Sequence, residues 1–331
     1  MIPNALRKIV RGVFRFPSYL RNAFLARRVK RKKSAKGRPY RDHPKVTAIL
    51  QFFNKRQNIT RIMAGLRKSG IEEIIVIDDG SLDGSHTTWM RHLTGPNDFL
   101  LRSNDIYEVR TYDRAIGMAR GEFICLLQDD DLLPDTDTWV REALRLFEGF
   151  PDLLILGGRN GLDVLIPDAP PKDGLAKYTT VGAIAGCPGV NKYVLYYGPS
   201  RVDPTSGLPL MFSMAVNRAP VFLRRAEFLR LGGINQRFAP FQCDDIDASI
   251  RAWLAGYKVG LYECQFRRNV GIGGMRLFQE EDWRDKQTNK AWALVYELHG
   301  SSISSGSLQE RVDKANGQLS PRKNSGIMKR H

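Results

Sequence analysis

Phe123-Ile124-Cys125-Leu126-Leu127-Gln128-Asp129-Asp130-Asp131-Leu132-Leu133-Pro134 sets five apolar residues one glutamine away from three consecutive carboxylates. A short, wholly apolar run closed by turn residues reads as a strand buried on both faces. Three carboxylates at the mouth of such a strand repel one another unless a cation offsets them. A hard divalent ion with oxygen ligands, shared with a diphosphate, supplies that compensation. The plainer alternative is an acidic loop that caps the following helix, with Asp137 as a second capping candidate.

Working outward, the chain alternates apolar runs with helical periods. Val46 to Phe53 predicts a strand, Ile59 to Leu66 a helix, Ile74 to Ile77 a strand, Val109 to Ala119 a helix and Thr138 to Phe147 another helix. This order implies an α/β fold built on a mainly parallel sheet with right-handed crossovers, whose ligand site lies at the carboxyl ends of the strands. The second strand runs into Ile77-Asp78-Asp79-Gly80-Ser81-Leu82-Asp83-Gly84. Carboxylates there either accept hydrogen bonds from a base or ribose or cap the turn itself. A phosphatase of the haloacid dehalogenase type needs a nucleophilic Asp three residues before that glycine, and the position holds Ile77.

Downstream, Gly157 to Pro209 is rich in Gly and Pro and lacks a long period, as expected of loops and short strands laid over the sheet. Cys243-Asp244-Asp245-Ile246-Asp247 leads into a helical pattern expected to start near Asp247 and stop at Gly256. Acids at a helix start are favoured by the dipole, and Asp247 with Arg251 forms an i,i+4 pair. One of these carboxylates, at the mouth of the sheet, would equally serve as a general base toward a hydroxyl. After Gly300 a Ser-rich stretch suggests a mobile tail.

The formal charge is +16, from 51 Lys+Arg against 35 Asp+Glu. Residues 1–45 carry fifteen of the bases and a single acid, Asp42, so the remaining body is close to neutral. A nucleic-acid reader would spread its bases over a folded domain, so no nucleic-acid partner is expected. In the arm, Ile2, Leu6, Ile9, Val10, Val13 and Phe14 recur at helical spacing between Arg7, Lys8, Arg11 and Arg15, and a basic run from Arg27 to Lys33 follows. That pattern predicts contact of residues 1–33 with an anionic membrane surface. No stretch reaches the ~20 apolar residues of a spanning helix. Cys125, Cys187, Cys243 and Cys264 show no paired spacing and read as reduced thiols of a cytoplasmic protein.

Taken together, Val46–Asn54, Ile77-Asp78-Asp79-Gly80-Ser81, Ala119-Arg120-Gly121-Glu122-Phe123 running into Gln128-Asp129-Asp130-Asp131, Gly232-Gly233, and Asp244-Asp245-Ile246-Asp247 with Arg251 and Gly256-Tyr257 resemble the family 2 glycosyltransferases of GT-A fold over about residues 45–265. The resemblance implies transfer of a hexosyl or related group from a nucleotide diphosphate sugar to a hydroxyl of a glycan or lipid-linked acceptor. It also implies inversion, with Mg2+ or Mn2+ as cofactor. By position, Asp79 matches the carboxylate that binds the nucleobase and Asp78 its neighbour, while Gln51, Phe52 and Phe53 fall in the first nucleotide-contacting stretch. In the metal motif, usually Asp-x-Asp-Asp, Gln128 replaces the first acid; Asp129 follows on the nucleotide-sugar side, Asp130 takes the metal position and Asp131 the trailing one. Asp245 matches the catalytic base, with Asp244 in the place of the usual Glu and Asp247 and Arg251 supporting the acceptor side. The His that many relatives carry after the last strand is absent from Arg267-Arg268-Asn269-Val270-Gly271, where the arginines either neutralise phosphate instead or are surface bases.

The expected organisation is a basic amphipathic arm over 1–44 and a glycosyltransferase domain over 45–265, divided at 158/159 into nucleotide-sugar and acceptor halves. A helical segment over 266–299 and a tail over 300–331 complete it. The resemblance places the chain in bacterial surface polysaccharide or glycan assembly, peripheral on the inner face of the cell membrane. Two rivals stand beside it: a nucleotide-sugar-binding protein without catalysis, and a metal-dependent nucleotidyltransferase. The latter needs a glycine-rich loop after the first strand, and Gln51-Phe52-Phe53-Asn54-Lys55-Arg56 has no glycine.

Overall fold

The computed structural model describes residues 40–164, 176–180, 192–264, 266–268 and 281–322. The basic arm up to residue 39, Cys187, residues 269–271 and parts of the Gly157–Pro209 stretch lie outside the described residues.

Strands β1 (Val46–Phe52), β2 (Glu73–Asp78) and β4 (Phe123–Leu127) are buried along almost their whole length, as central parallel strands covered on both faces must be. Between them lie α1 (Ile59–Lys68), α2 (Ser85–His92), the edge strand β3 (Asp98–Arg102) and α3 (Tyr107–Met118). Helix α1 buries Ile59, Ile62, Met63 and Leu66, one face at three- and four-residue spacing. The register pairs Phe52 with Asp78 and Leu50 with Leu127, so the three strands end side by side. Their following loops, 53–58, 79–84 and 128–131, therefore share one rim.

At the opposite rim, Glu73 accepts from Thr47 Oγ1 at 2.6 Å and from the Arg120 backbone N and Nε at 2.8 and 2.7 Å. Gly121 sits against this knot. A Cβ there would lie 2.5 Å from Thr47 Oγ1, so only glycine lets the chain turn into β4. The Arg120-Gly121 pair thus sets where β4 begins, and hence where its acids emerge.

The chain continues through β5 (Asp131–Leu132), α4 (Thr138–Gly149) and β6 (Leu153–Gly157). Strands β7 (Gly161–Val164), β8 (Ala176–Thr180), β9 (Lys192–Tyr196) and β12 (Ala215–Val216) form a separate four-stranded sheet in the order β12-β7-β9-β8. Then come β10 (Arg201–Val202), β11 (Leu210–Phe212), β13 (Val221–Arg224), α5 (Arg225–Arg230), α6 (Asp244–Leu254) and β14 (Lys258–Tyr262). The main sheet has eight strands in the order β11-β14-β6-β13-β4-β1-β2-β3, with β13 antiparallel between β4 and β6. After β14, the short strand β15 (Arg267–Arg268) pairs with β5, setting Arg268 opposite Asp131.

Two expectations need correction. Helix α6 begins at Asp244 rather than near Asp247, so all three acids occupy its first turn, where they answer the helix dipole. The supposed tail from Gly300 is folded to residue 322. Helix α7 (Glu281–Ser304) runs past it, and α8 (Ser307–Asn316) buries Leu308, Val312 and Ala315 before β16 (Ser320–Pro321) pairs with β10. Asn316 closes the edge of β11, accepting from Phe212 N and donating to Phe212 O, both at 2.8 Å. The Ser-rich stretch is the last turn of α7 and the short turn Ser305-Gly306 into α8, and the apolar residues beyond it recur too sparsely to stand out by composition.

Candidate active site

The acids after β2 are buried and tied to the protein itself. Asp78 accepts from Ser81 N at 2.9 Å and lies 3.0 Å from His86 Nδ1. Asp79, fully buried, accepts from Ser103 Oγ at 2.6 Å, Ile106 N at 3.0 Å, Tyr107 N at 2.9 Å and Gln51 Nε2 at 3.1 Å. Its carboxylate thereby pins the turn into α3, where Asp105 and Tyr107 take positive φ of 58° and 65°. Non-glycine residues hold such angles only when their surroundings dictate them. A nucleobase would reach Asp79 by replacing one of these donors, so the expected nucleotide contact is closed in this structure. Tyr107 stacks on Phe241, which packs on Trp283, with ring centroids 5.9 and 5.3 Å apart. This aromatic group joins the starts of α3 and α7 to the segment before α6.

After β4, the three carboxylates divide. Asp129 accepts from Lys55 Nζ at 2.5 Å and Phe53 N at 3.2 Å, and its carbonyl accepts from Asn58 Nδ2 at 2.8 Å. Burial lifts its pKa to about 6, against the pull of Lys55. Asp131 accepts from Gln128 N at 2.8 Å and so closes the loop on itself. Asp130 lies between them with 1% of its surface exposed. Among the described residues no cluster of three or more His, Cys, Asp or Glu is arranged as a metal cage. One carboxylate is nonetheless a sufficient protein anchor for Mg2+ or Mn2+ when phosphate oxygens and water complete the shell.

The acids of α6 divide too. Asp247, buried, sits 2.8 Å from both Arg251 Nε and His299 Nε2, the latter on α7. Arg251 also donates to the carbonyls of Leu231 and Gly233, each at 2.7 Å, so this pair clamps α6 to its surroundings. Asp244, buried, receives Arg218 Nη2 at 2.6 Å. Burial pushes its pKa up to about 7 despite that guanidinium. Asp245 alone of the three is half-exposed, with Arg218 N at 3.4 Å from its Oδ2. Just before the helix, Gln242 and Cys243 hold φ of 79° and 60°, a strained approach that sets the angle of this turn.

Glu108 and Lys55 escape a sequence reading of the site, and Arg218 reads there only as a candidate for donor or acceptor specificity. Glu108 opens α3, and burial raises its pKa; Arg218 and Lys55 oppose the rise, while Asp245 and Asp130 add to it. Its carboxyl lies 3.6 Å from Arg218 Nη2. Arg218 and Lys55 are the buried cations that offset the two acidic motifs. Each belongs to an unremarkable local pattern, and only the folded chain collects them. A larger cavity, about 250 Å3, opens elsewhere against α8, lined by Asp163, Arg201, Phe212 and Asn316. None of the strand-end acids reaches it, so chemistry rather than volume locates the site.

Residues 47–172 match the family described as Glycosyl transferase family 2. A comparison with curated proteins finds no match. Among solved structures, the "Crystal structure of GalNAc-T7 with UDP, GalNAc and Mn2+" superposes with a TM-score of 0.53 at 13% identity, over 78% of this chain and 48% of that one. This chain therefore spans about half the length of that relative. The mannosyltransferase PcManGT from Pyrobaculum calidifontis, in complex with GDP-Man and Mn2+, gives 0.48 at 16% identity over 94% and 84%. TarS 1-349 of S. aureus gives 0.46 at 12% identity over 82% of both chains. The strand order, the rim of acids and the matched family over residues 47–172 identify the fold as that of the GT-A glycosyltransferases.

Proposed function

We propose that this protein is an inverting glycosyltransferase that moves a sugar from a nucleotide diphosphate donor to a hydroxyl of a glycan or lipid-linked acceptor. The observation that carries the reading is the register that ends β1, β2 and β4 side by side, so that Asp78, Asp79 and the acids after β4 share one rim, with Asp245 left partly exposed in the first turn of α6. An anchor for a diphosphate-bound cation and a half-exposed base on facing elements are what displacement at an anomeric carbon requires.

Asp130 would hold Mg2+ or Mn2+ together with the donor diphosphate. A bound divalent ion supplies stabilisation of the negative charge that develops on the leaving group. The remaining steps belong to the chain's own residues. Asp245 takes the proton of the acceptor hydroxyl as its oxygen bonds to the anomeric carbon, and the bond from that carbon to the diphosphate oxygen breaks on the opposite face. Lys55 keeps Asp129 from adding an uncompensated charge beside the diphosphate. Gln51, Phe53 and the loop ending at Tyr107 border the space for the base, with Asp79 available once Tyr107 shifts. The basic arm would bring this site to an anionic membrane, the setting of lipid-linked glycan assembly.

The test is release of nucleoside diphosphate from a panel of UDP-, GDP- and dTDP-sugars with Mn2+ or Mg2+, against an EDTA control. Asp245→Asn is expected to lower kcat by about 10²–10⁴-fold while donor binding stays within twofold (roughly, on the same scale). Wild-type turnover in Asp245→Asn would remove the base assignment, and an absence of release from every donor would remove the transferase reading.

A further inference from the structure

Arg218 is a buried cation that no step above uses. Its Nη2 lies 2.6 Å from Asp244 Oδ1 on α6 and 3.6 Å from Glu108 Oε1 on α3. Its backbone N is the one that approaches Asp245. The guanidinium rests 4.9 Å from the Tyr112 ring centroid, and the Tyr112 hydroxyl donates to Leu127 O at 2.6 Å, the last residue of β4. A continuous path thus runs from the strand that presents Asp130, through Tyr112 and Arg218, to the helix turn that presents Asp245.

The surroundings of this arginine assign it to geometry and not to substrate contact. The cavity it lines with Leu126, Val216, Asp244 and Asp245 measures about 20 Å3, room for a water and far short of a sugar. Without the cation, Glu108 and Asp244 lose the partner they share and must either repel each other or take up protons, and the α6 turn is no longer drawn against α3.

We propose that Arg218 is the positioning residue of the catalytic base: shared by Glu108 and Asp244, its guanidinium neutralises the carboxylates behind Asp245 and fixes the α6 turn against the strand that carries Asp130. The inference rests on the reading of Asp245 as base. It is tested on the full-length protein with Arg218→Met, Arg218→Lys and Arg218→Met combined with Asp244→Asn, each measured for kcat, donor KM and melting temperature. Arg218→Met is expected to lose about 10–100-fold in kcat with donor KM nearly unchanged, because the loss concerns orientation in the reacting complex. Lys should recover about tenfold by restoring the charge, and removing Asp244's charge should recover part of the loss in the Met variant. A wild-type kcat in Arg218→Met overturns the proposal. So does a loss that follows melting temperature and is relieved by neither second change. If Arg218→Met does not fold, Arg218→Lys decides: a lowered kcat at constant KM supports the proposal, and a wild-type kcat overturns it. Asp245→Asn run in parallel separates the two readings, since its failure to reduce turnover would fault the base and not the arginine.

Discussion

Asp244, Asp245 and Asp247 share one helical turn yet have three different fates. Asp244 is neutralised by Arg218, Asp247 is clamped by Arg251 and His299, and Asp245 stays partly exposed. Asp247 illustrates how such a role is measured. Burial pushes its pKa up, but the His299 hydrogen bond and Arg251 outweigh that and hold it below the usual carboxylate range. A depressed folded-state pKa means that the carboxylate adds stability above the ordinary Asp value and loses it as pH falls through the depressed one. Asp247→Asn is therefore expected to cost about 1–3 kcal/mol of unfolding stability at neutral pH. In urea denaturation the gap from wild type should close as pH drops below the ordinary carboxylate range; a gap that persists in acid would assign the loss to packing. The Asp247–Arg251 pair was legible from spacing alone, whereas His299, 52 positions from Asp247, was not.

At the level of elements, legibility followed burial. Strands β1, β2 and β4 announce themselves because both faces are covered and their central residues form apolar runs. Strand β3 and helix α2 do not: β3 is an edge strand with no buried position, and α2 buries only Ser85 and Trp89. Helix α8 escaped for a related reason. Its three buried residues are separated by polar ones suited to its exposed side, and its need to cover the β11 edge exists only once β11 is in place. Leu308, fully buried, gives the check: Leu308→Ala should cost about 2–5 kcal/mol by thermal or chemical denaturation. A change near zero would return this segment to the status of a tail.

Over the whole molecule, the charge of +16 is almost entirely the property of residues 1–45, while the folded body spends its few surplus bases inside the site. Lys55 and Arg218 are buried opposite Asp129 and Asp244. Among the described residues no helix is long and apolar enough to cross a membrane. The arm is thus the part of the sequence proposed to make membrane contact, and its role is separable. Removal of residues 1–36 is expected to abolish binding to vesicles containing anionic lipid at low salt, with donor hydrolysis unchanged. Vesicle binding that survives the truncation would assign the contact to the body instead.

Local order determined the α/β alternation, the rim of strand-end acids and the acidic start of α6, because hydrophobic period and turn chemistry act over a few residues at a time. Tertiary structure alone decided which acids are tied to internal partners and which stays partly exposed. Burial, and cations drawn from distant segments such as Lys55 for Asp129 and Arg218 for Asp244, make that selection, and both come into being only when the chain closes on itself.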